Sequence, residues 1–496
     1  MKKRNKNINA VMAVVAIFIV MSVVAGVVMA VTQTNALPDS TNSQQTTNSE
    51  VIQTESEENS ISSGNSVVED NLADGGTDSE EGTVEPTTEP TTEPTAEPTT
   101  QPTPTIEPTT APTVAPTVAP TAKPTQPPVQ NVSPDMYSAM WISYLEFQSV
   151  DFSSKSAFKS QMTQMFANCR DMGLNTVIVQ VRPFGDALYD SDIFPSSHLI
   201  TGTQGDKLPF DPLGVMVDIA HSMNLRIEAW VNPYRVRLSS KMPSNISADN
   251  PANNQELVFN AEGGIYYNPA LTEVQDMVVA GIAEIVENYD VDGIHLDDYF
   301  YPSTDMTLDE DDYASSGTNL SQADWRRENV NTLVKKIYKK VKSIDSSVTF
   351  GISPQGNNDN NYSVQYSDVK LWLSTEGYVD YIMPQLYWGF GYLTKSGRTD
   401  YQFVNLSEEW ASYPRHSSVK LYIGLGAYRI GDGDGGANDQ SEWSSGNNLM
   451  KMVNAVNANP KISGFGLYRY DNLFKNSKYS DLARSEVEHL AEVLKG

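Results

Sequence analysis

The chain is poor in the side chains that usually hold metals or phosphate. One cysteine, Cys169, stands among 496 residues. A lone thiol makes neither an internal disulfide nor a cysteine-based zinc site. It lies in an apolar stretch with Met165, Phe166 and Met172, so it is expected in the core. Five scattered histidines are too few for a histidine-rich metal set. No metal and no other cofactor is therefore expected. Cations are scarce as well: 34 Lys and Arg face 62 Asp and Glu, a net charge of −28. Phosphate backbones demand a basic face, so nucleic acid is not an expected partner. No glycine-rich phosphate turn follows the first strand signal. The acidic excess itself speaks to solubility before it speaks to a ligand.

Long apolar runs are also rare, and the exception is at the N-terminus. Lys2, Lys3, Arg4 and Lys6 precede an apolar run from Ala10 to Val31. As a helix that run would span about 33 Å, enough for a bilayer core. Positive charge before it places the rest of the chain outside the cell. A cleaved signal peptide has a shorter apolar core, about 7–15 residues. Yet Val28-Met29-Ala30 and Thr34-Asn35-Ala36 offer small residues where a peptidase could cut. Residues 1–36 are thus read as a membrane anchor or a signal peptide.

Residues 37–134 are expected to be disordered. The first half is Ser/Thr/Asn/Glu-rich and has few large apolar side chains to offset ordering entropy. The second half repeats Glu85-Pro86-Thr87-Thr88 at a period near four, up to Pro127-Pro128. Proline at that density forbids helices and ladders and favours extended polyproline II. The stretch from Pro86 to Pro128 would reach about 130 Å, a semi-rigid stalk.

Residues 135–496 show an alternation of short apolar runs and helical periods. Strands are expected over Ser138–Ile142, Thr176–Val181, Arg226–Val231, Gly293–Leu296, Thr349–Ile352, Tyr381–Met383, Lys420–Gly424 and Gly464–Tyr468. Helices are expected over Lys155–Met172, Leu213–Met223, Glu273–Tyr289, Gln322–Ile344, Val369–Ser374, Gln402–Tyr413, Asn447–Asn459 and Leu482–Leu494. Eight strands, each followed by a helix, are the pattern of an α/β fold, the (β/α)8 TIM-type barrel.

In such barrels the chemistry sits at the C-terminal ends of the strands. Those ends are rich in Trp, Tyr, Arg, Asn and Asp, which suit a sugar's apolar faces and its hydroxyls. The sharpest cue is Asp292-Gly293-Ile294-His295-Leu296-Asp297-Asp298-Tyr299. If Ile294 and Leu296 face the helices, the two-residue period turns His295 and Asp297 inward. Asp297 then lies at the mouth, with Asp298 one step beyond. Glycoside hydrolysis uses two carboxyls, and both are candidates; the alternatives are an ion pair to Arg182 or Arg235 for Asp297 and a turn cap for Asp298. Glu228 shares parity with Trp230 and Asn232 but lies deeper. Burial would raise its pKa as a general acid needs, or it is a structural partner of His295. Asp186, in the loop after the second strand, is either a further catalytic candidate or an ordinary loop residue. The acidic stretches Asp305–Asp312 and Gly431–Gly436 miss calcium-loop spacing and read as solvated loops.

Val181-Arg182-Pro183 with Gly185-Asp186-Ala187, Ala229-Trp230-Val231-Asn232-Pro233-Tyr234-Arg235, Asn268-Pro269 and the Asp292–Tyr299 stretch resemble glycosyl-hydrolase-like family 10, from about Tyr137 to Lys475. The resemblance implies a barrel related to glycoside hydrolases of bacterial envelopes, some akin to peptidoglycan glycosidases. It covers Arg182, Asp186, Asn232, Tyr234, Arg235, His295, Asp297 and Asp298, and departs at Glu228, where many relatives carry histidine. The expectation is an extracellular glycoside hydrolase of a polysaccharide, most of all peptidoglycan glycan, held at the membrane or in the wall. Asp297 would be nucleophile or charge stabiliser. Asp298, or else Asp186 or Glu228, would be the acid/base. Arg182, Asn232, Tyr234, Arg235 and His295 would bind the sugar, and Gln385, Tyr387, Trp388 and Tyr468 would line subsites. The rivals are a glycosidase of a neutral or capsular glycan and a non-catalytic wall-binding module.

Overall fold

The computed structural model describes residues 136–239, 242–438 and 441–495. The expected anchor or signal over residues 1–36 and the expected linker over residues 37–134 lie outside the described residues. Among the described residues no helix is long and apolar enough to cross a membrane.

The strands, in chain order, are β1 (Tyr137–Ile142), β2 (Thr176–Arg182), β3 (Arg226–Val231), β4 (Arg235–Arg237), β5 (Val258–Ala261), β6 (Gly264–Tyr267), β7 (Gly293–Leu296), β8 (Thr349–Ile352), β9 (Tyr381–Ile382), β10 (Gln385–Leu386), β11 (Lys420–Leu421), β12 (Ile423–Gly426) and β13 (Gly464–Tyr468). Ten of them form one parallel sheet, and β4, β6 and β5 form a separate antiparallel one. In the large sheet β1 pairs with β2, β2 with β3, β3 with β7, β7 with β8, and β8 with β9. From there β9 pairs with β11, β12 with β13, and β13 returns to β1.

Two staves are each read as a pair of short strands. Met383-Pro384 separates β9 from β10, and Pro384 has no N–H to give to a ladder. Tyr422 separates β11 from β12, yet its N–H still reaches Ile382 O at 2.9 Å, and Gly424 N reaches Pro384 O at 2.8 Å. The pairing therefore runs round eight staves, an α/β barrel. The expected strands Arg226–Val231, Gly293–Leu296, Thr349–Ile352 and Gly464–Tyr468 coincide with those observed.

The helices follow their sequence signals. Lys155–Met172 begins where the Ser154 side chain accepts from Ala157 N, and it ends at Gly173, whose φ of 106° suits only glycine well. It buries Phe158, Met162, Met165, Phe166, Cys169 and Met172, an apolar stripe at helical spacing.

Side chains alternate across each stave. Val177, Val179, Ile227, Ala229, Ile294, Leu296, Phe350 and Ile352 join the large core shared with the helices. Ala139, Trp141, Ile178, Trp230, Tyr381 and Met383 fill the barrel interior. Glycine makes room for these rings. A Cβ on Gly351 would lie 1.9 Å from the Tyr381 ring, and one on Gly466 would lie 2.8 Å from Trp141. The interior is thus plugged by aromatics, which leaves only the strand ends for chemistry.

Candidate active site

The parity argument holds: Ile294 and Leu296 pack outward, and His295 lies inside. His295 is not a sugar ligand, however. It is fully buried, and both ring nitrogens are engaged. Trp141 Nε1 donates to its Nε2 at 3.2 Å, which leaves the proton on Nδ1 to meet Tyr381 Oη at 2.7 Å. Tyr381 in turn donates to Glu228 Oε2. Burial pushes the His295 pKa down to about 3, so the ring stays neutral. The result is a hydrogen-bonded thread from Trp141 down to Glu228.

Glu228 is the lower end of that thread. It pairs in register with Gly293, two residues below the His295 layer, and is 0% exposed. Burial raises its pKa, while Arg226, 3.9 Å away, and Tyr381 pull it back. The structure does not bring Glu228 to Asp297, because the Trp230–His295 layer lies between them. Its raised proton affinity serves the barrel interior.

Asp297 sits at the top. It is 4% exposed and held from several sides. Trp230 Nε1 donates to Oδ2 at 3.0 Å, and Tyr299 N donates to Oδ1 at 3.1 Å. Asn232 Nδ2 lies 3.2 Å from Oδ2 and 3.3 Å from Oδ1. Asn232 is itself fixed because its Oδ1 accepts from Arg235 N at 3.0 Å. Burial raises the Asp297 pKa to about 6, with the neighbouring charge of Asp298 adding to the rise; Arg235 and the donors from Tyr299 and Trp230 oppose it.

Asp298 is half-buried beside it. Gln385 Nε2 donates to its Oδ1 at 2.9 Å and also reaches Ser353 O at 2.9 Å. Burial raises its pKa, while Gln385, its own backbone N–H, Gln355 and Arg235 lower it.

The remaining expected ligands divide. Arg235 belongs to the site. Its guanidinium lies 5.1 Å from both the Phe184 and Tyr299 rings and 5.7 Å from that of Tyr144, and its Nε donates to Pro183 O. Tyr387 and Tyr468 stack with centroids 5.8 Å apart, and Trp388 packs 5.2 Å from Tyr401. Arg182 and Tyr234 are not available to a sugar. Arg182 is buried over Phe194 at 4.4 Å, and Tyr234 is buried edge-on to Phe300. Asp186 is fully buried, and its Oδ2 is taken by His198 Nδ1 and Gln204 Nε2, both at 3.0 Å. None of its partners bonds to Asp297 or Asp298.

Trp230, Tyr299, Gln355 and Tyr144 stand among the strand-end residues of the sequence but carried no expected role. Their signal was available: Trp230 shares inward parity with Asn232, and Tyr299 directly follows the paired aspartates. Sequence reasoning passed over the antiparallel sheet β4–β6–β5, which follows Asn232 and braces the loop at Gly185. The acidic stretches are mostly exposed, as expected, but one acid in each is buried. Asp309 is buried against Arg326 at 2.6 Å, and Asp434 is buried with Gly389 N and Trp443 Nε1 as donors. Each acid braces a mouth loop. Among the described residues no group of three or more His, Cys, Asp or Glu is gathered as a metal would need.

The candidate site sets two neighbouring aspartates with raised pKa values among aromatic rings at the strand ends of an α/β barrel, an arrangement suited to glycoside hydrolysis. The comparisons give the family. The profile described as "Glycosyl hydrolase-like 10" matches residues 137–445, and the chain belongs to that family. It is 33% identical over 364 residues to glycosyl hydrolase YngK of Bacillus subtilis (strain 168), covering 68% of this chain and 69% of that one. It is 34% identical over 334 residues to glycosyl hydrolase DigH of Escherichia coli (strain K12), covering 61% of this chain and 74% of that one. Among solved structures, the PgaB (BpsB) glycoside hydrolase domain of Bordetella bronchiseptica aligns with a TM-score of 0.46 at 10% identity, over 71% of this chain and 99% of that one.

Proposed function

We propose that this glycoside hydrolase cleaves the glycan strands of peptidoglycan on the outer face of the cell membrane or in the wall. The observation that carries the catalytic part is the setting of Asp297: a buried carboxyl at the barrel mouth, held by three residues and titrating near pH 6. Near neutral pH it is mostly ionised, rigid and poorly hydrated. Such a group stabilises positive charge developing on a sugar ring, or attacks the anomeric carbon. Asp298, whose proton is held more tightly than usual, gives that proton to the leaving glycosidic oxygen and takes one back from water. Asn232, Trp230 and Tyr299 keep the Asp297 carboxyl fixed, and Arg235 balances the paired charges. Tyr387, Tyr468 and Trp388 line the path of the neighbouring sugars. The apolar run before Val31 and the Pro/Thr repeat support the location.

The test is digestion of purified sacculi, with products read by mass spectrometry. New reducing ends are expected with the native chain and none with Asp297→Asn. Intact sacculi together with cleavage of a neutral or capsular glycan in a substrate panel would move the assignment to that substrate.

A further inference from the structure

Asp186 is buried and bonded, yet it does not reach the catalytic pair, and its position has another use. We propose that Asp186 and His198 form a dyad that presents His198 Nε2 as a hydrogen-bond acceptor to a hydroxyl or amide N–H of the glycan, one subsite away from the scissile bond. The inference rests on the assignment of the glycan above.

Both residues lie in the segment that follows β2, with His198 opening the short helix His198–Thr201, on the strand-end face that Asp297 also occupies. Asp186 Oδ2 lies 3.0 Å from His198 Nδ1, and a carboxylate there holds the imidazole proton on Nδ1. On the neutral ring Nε2 is then the lone-pair nitrogen, and it makes no hydrogen bond among the described residues. The His198 side chain is 17% exposed and Asp186 is 0% exposed, so the carboxylate is sealed behind the ring it orients. Gln204 Nε2 holds the same Oδ2 at 3.0 Å, and Gln204 Oε1 in turn accepts from Ser247 N and Asn250 Nδ2. This bracing fixes the ring in one orientation.

The His198 ring also packs 5.8 Å from Phe184, and Phe184 lies 5.1 Å from the Arg235 guanidinium beside Asp297 and Asp298. One ring contact and one cation–π contact therefore join the imidazole to Arg235, whose charge acts on both aspartates. With Phe184 between, His198 suits an adjoining sugar and not the reacting bond. Asp186 acts here as a positioning residue, and His198 as a ligand.

The test uses glycan strands freed of peptide from purified sacculi, bound to the Asp297→Asn chain by calorimetry. His198→Asn retains a donor toward Asp186 and removes the Nε2 acceptor. It should keep the thermal midpoint and weaken binding about threefold to tenfold, the worth of one hydrogen bond. Asp186→Asn should weaken binding too, with no further loss when added to His198→Asn. Unchanged binding in His198→Asn, with the parent binding normally, would overturn the dyad's role and leave it purely structural. A parent that binds no glycan strand would overturn the peptidoglycan assignment, and the dyad's ligand with it.

Discussion

Ionised Asp297 should be costly to the folded chain, and replacing it should reveal the cost as a function of pH. Its pKa rises from 3.8 to about 6 on folding. The folded state therefore binds more protons than the unfolded state between those values, and stability falls as pH rises through that window. The loss amounts to about 3 kcal/mol and is complete above about pH 7. Asp297→Asn removes this titration. It also disturbs the hydrogen bonds to Trp230, Asn232 and Tyr299; the part of that cost that the protonated carboxyl shares, about 1–3 kcal/mol, does not vary with pH. The difference in unfolding free energy between the variant and the native chain isolates the titrating part. Measured by urea denaturation from pH 4 to pH 8, that difference should move in the variant's favour by about 2–3 kcal/mol between pH 4 and pH 7, then level off. The other acids with raised pKa values are common to both chains and largely cancel; the coupled Asp298 relaxes slightly in the variant. A difference that stays flat with pH would show that Asp297 titrates like an ordinary surface carboxyl. The view of a desolvated, poised carboxylate would then be refuted.

Further outcomes follow from the same contacts. Asn232→Ala takes a donor from ionised Asp297, so its pKa should rise and the acidic limb of the rate profile should shift to higher pH; a shift to lower pH would contradict the geometry. Asp298→Asn should lower kcat by about 10²–10⁴-fold on a glycan with a poor leaving group, and much less on an activated aryl glycoside, because the proton donor matters less there. Arg326→Met strands buried Asp309 without its partner and should destabilise the chain by about 3–5 kcal/mol in chemical denaturation. Gly351→Ala forces a Cβ against the Tyr381 ring and should lower the melting temperature without touching the mouth residues.

Much of the barrel was legible because each stave carries both signals at once. Gly293–Leu296 shows the two-residue alternation that puts His295 inside and Asp297 at the rim, and Lys155–Met172 shows a helical stripe between Ser154 and Gly173. The position of Asp297 at the rim could be read for the same reason. The failures lie where contact, not pattern, decides. Arg182, Tyr234 and His295 stand at strand ends as a ligand would, but Phe194, Phe300 and the barrel interior cover them. That sheet was missed because its strands are only three or four residues long. Glu228 had the right parity at the wrong depth, and depth depends on strand stagger, which the two-residue period does not encode. Asp186 looked like a catalytic acid because nothing in its own segment announces His198, twelve residues on, as its partner.

The central claim is that the carboxyl of Asp297 is what makes this barrel cut a glycan. Its most direct test is single-turnover digestion of purified sacculi by the native chain, Asp297→Asn and Asp186→Asn, with reducing ends counted by mass spectrometry. Full product from the native chain, reduced but measurable product from Asp186→Asn and none from Asp297→Asn is the predicted result. Equal product from the native chain and Asp297→Asn would contradict it.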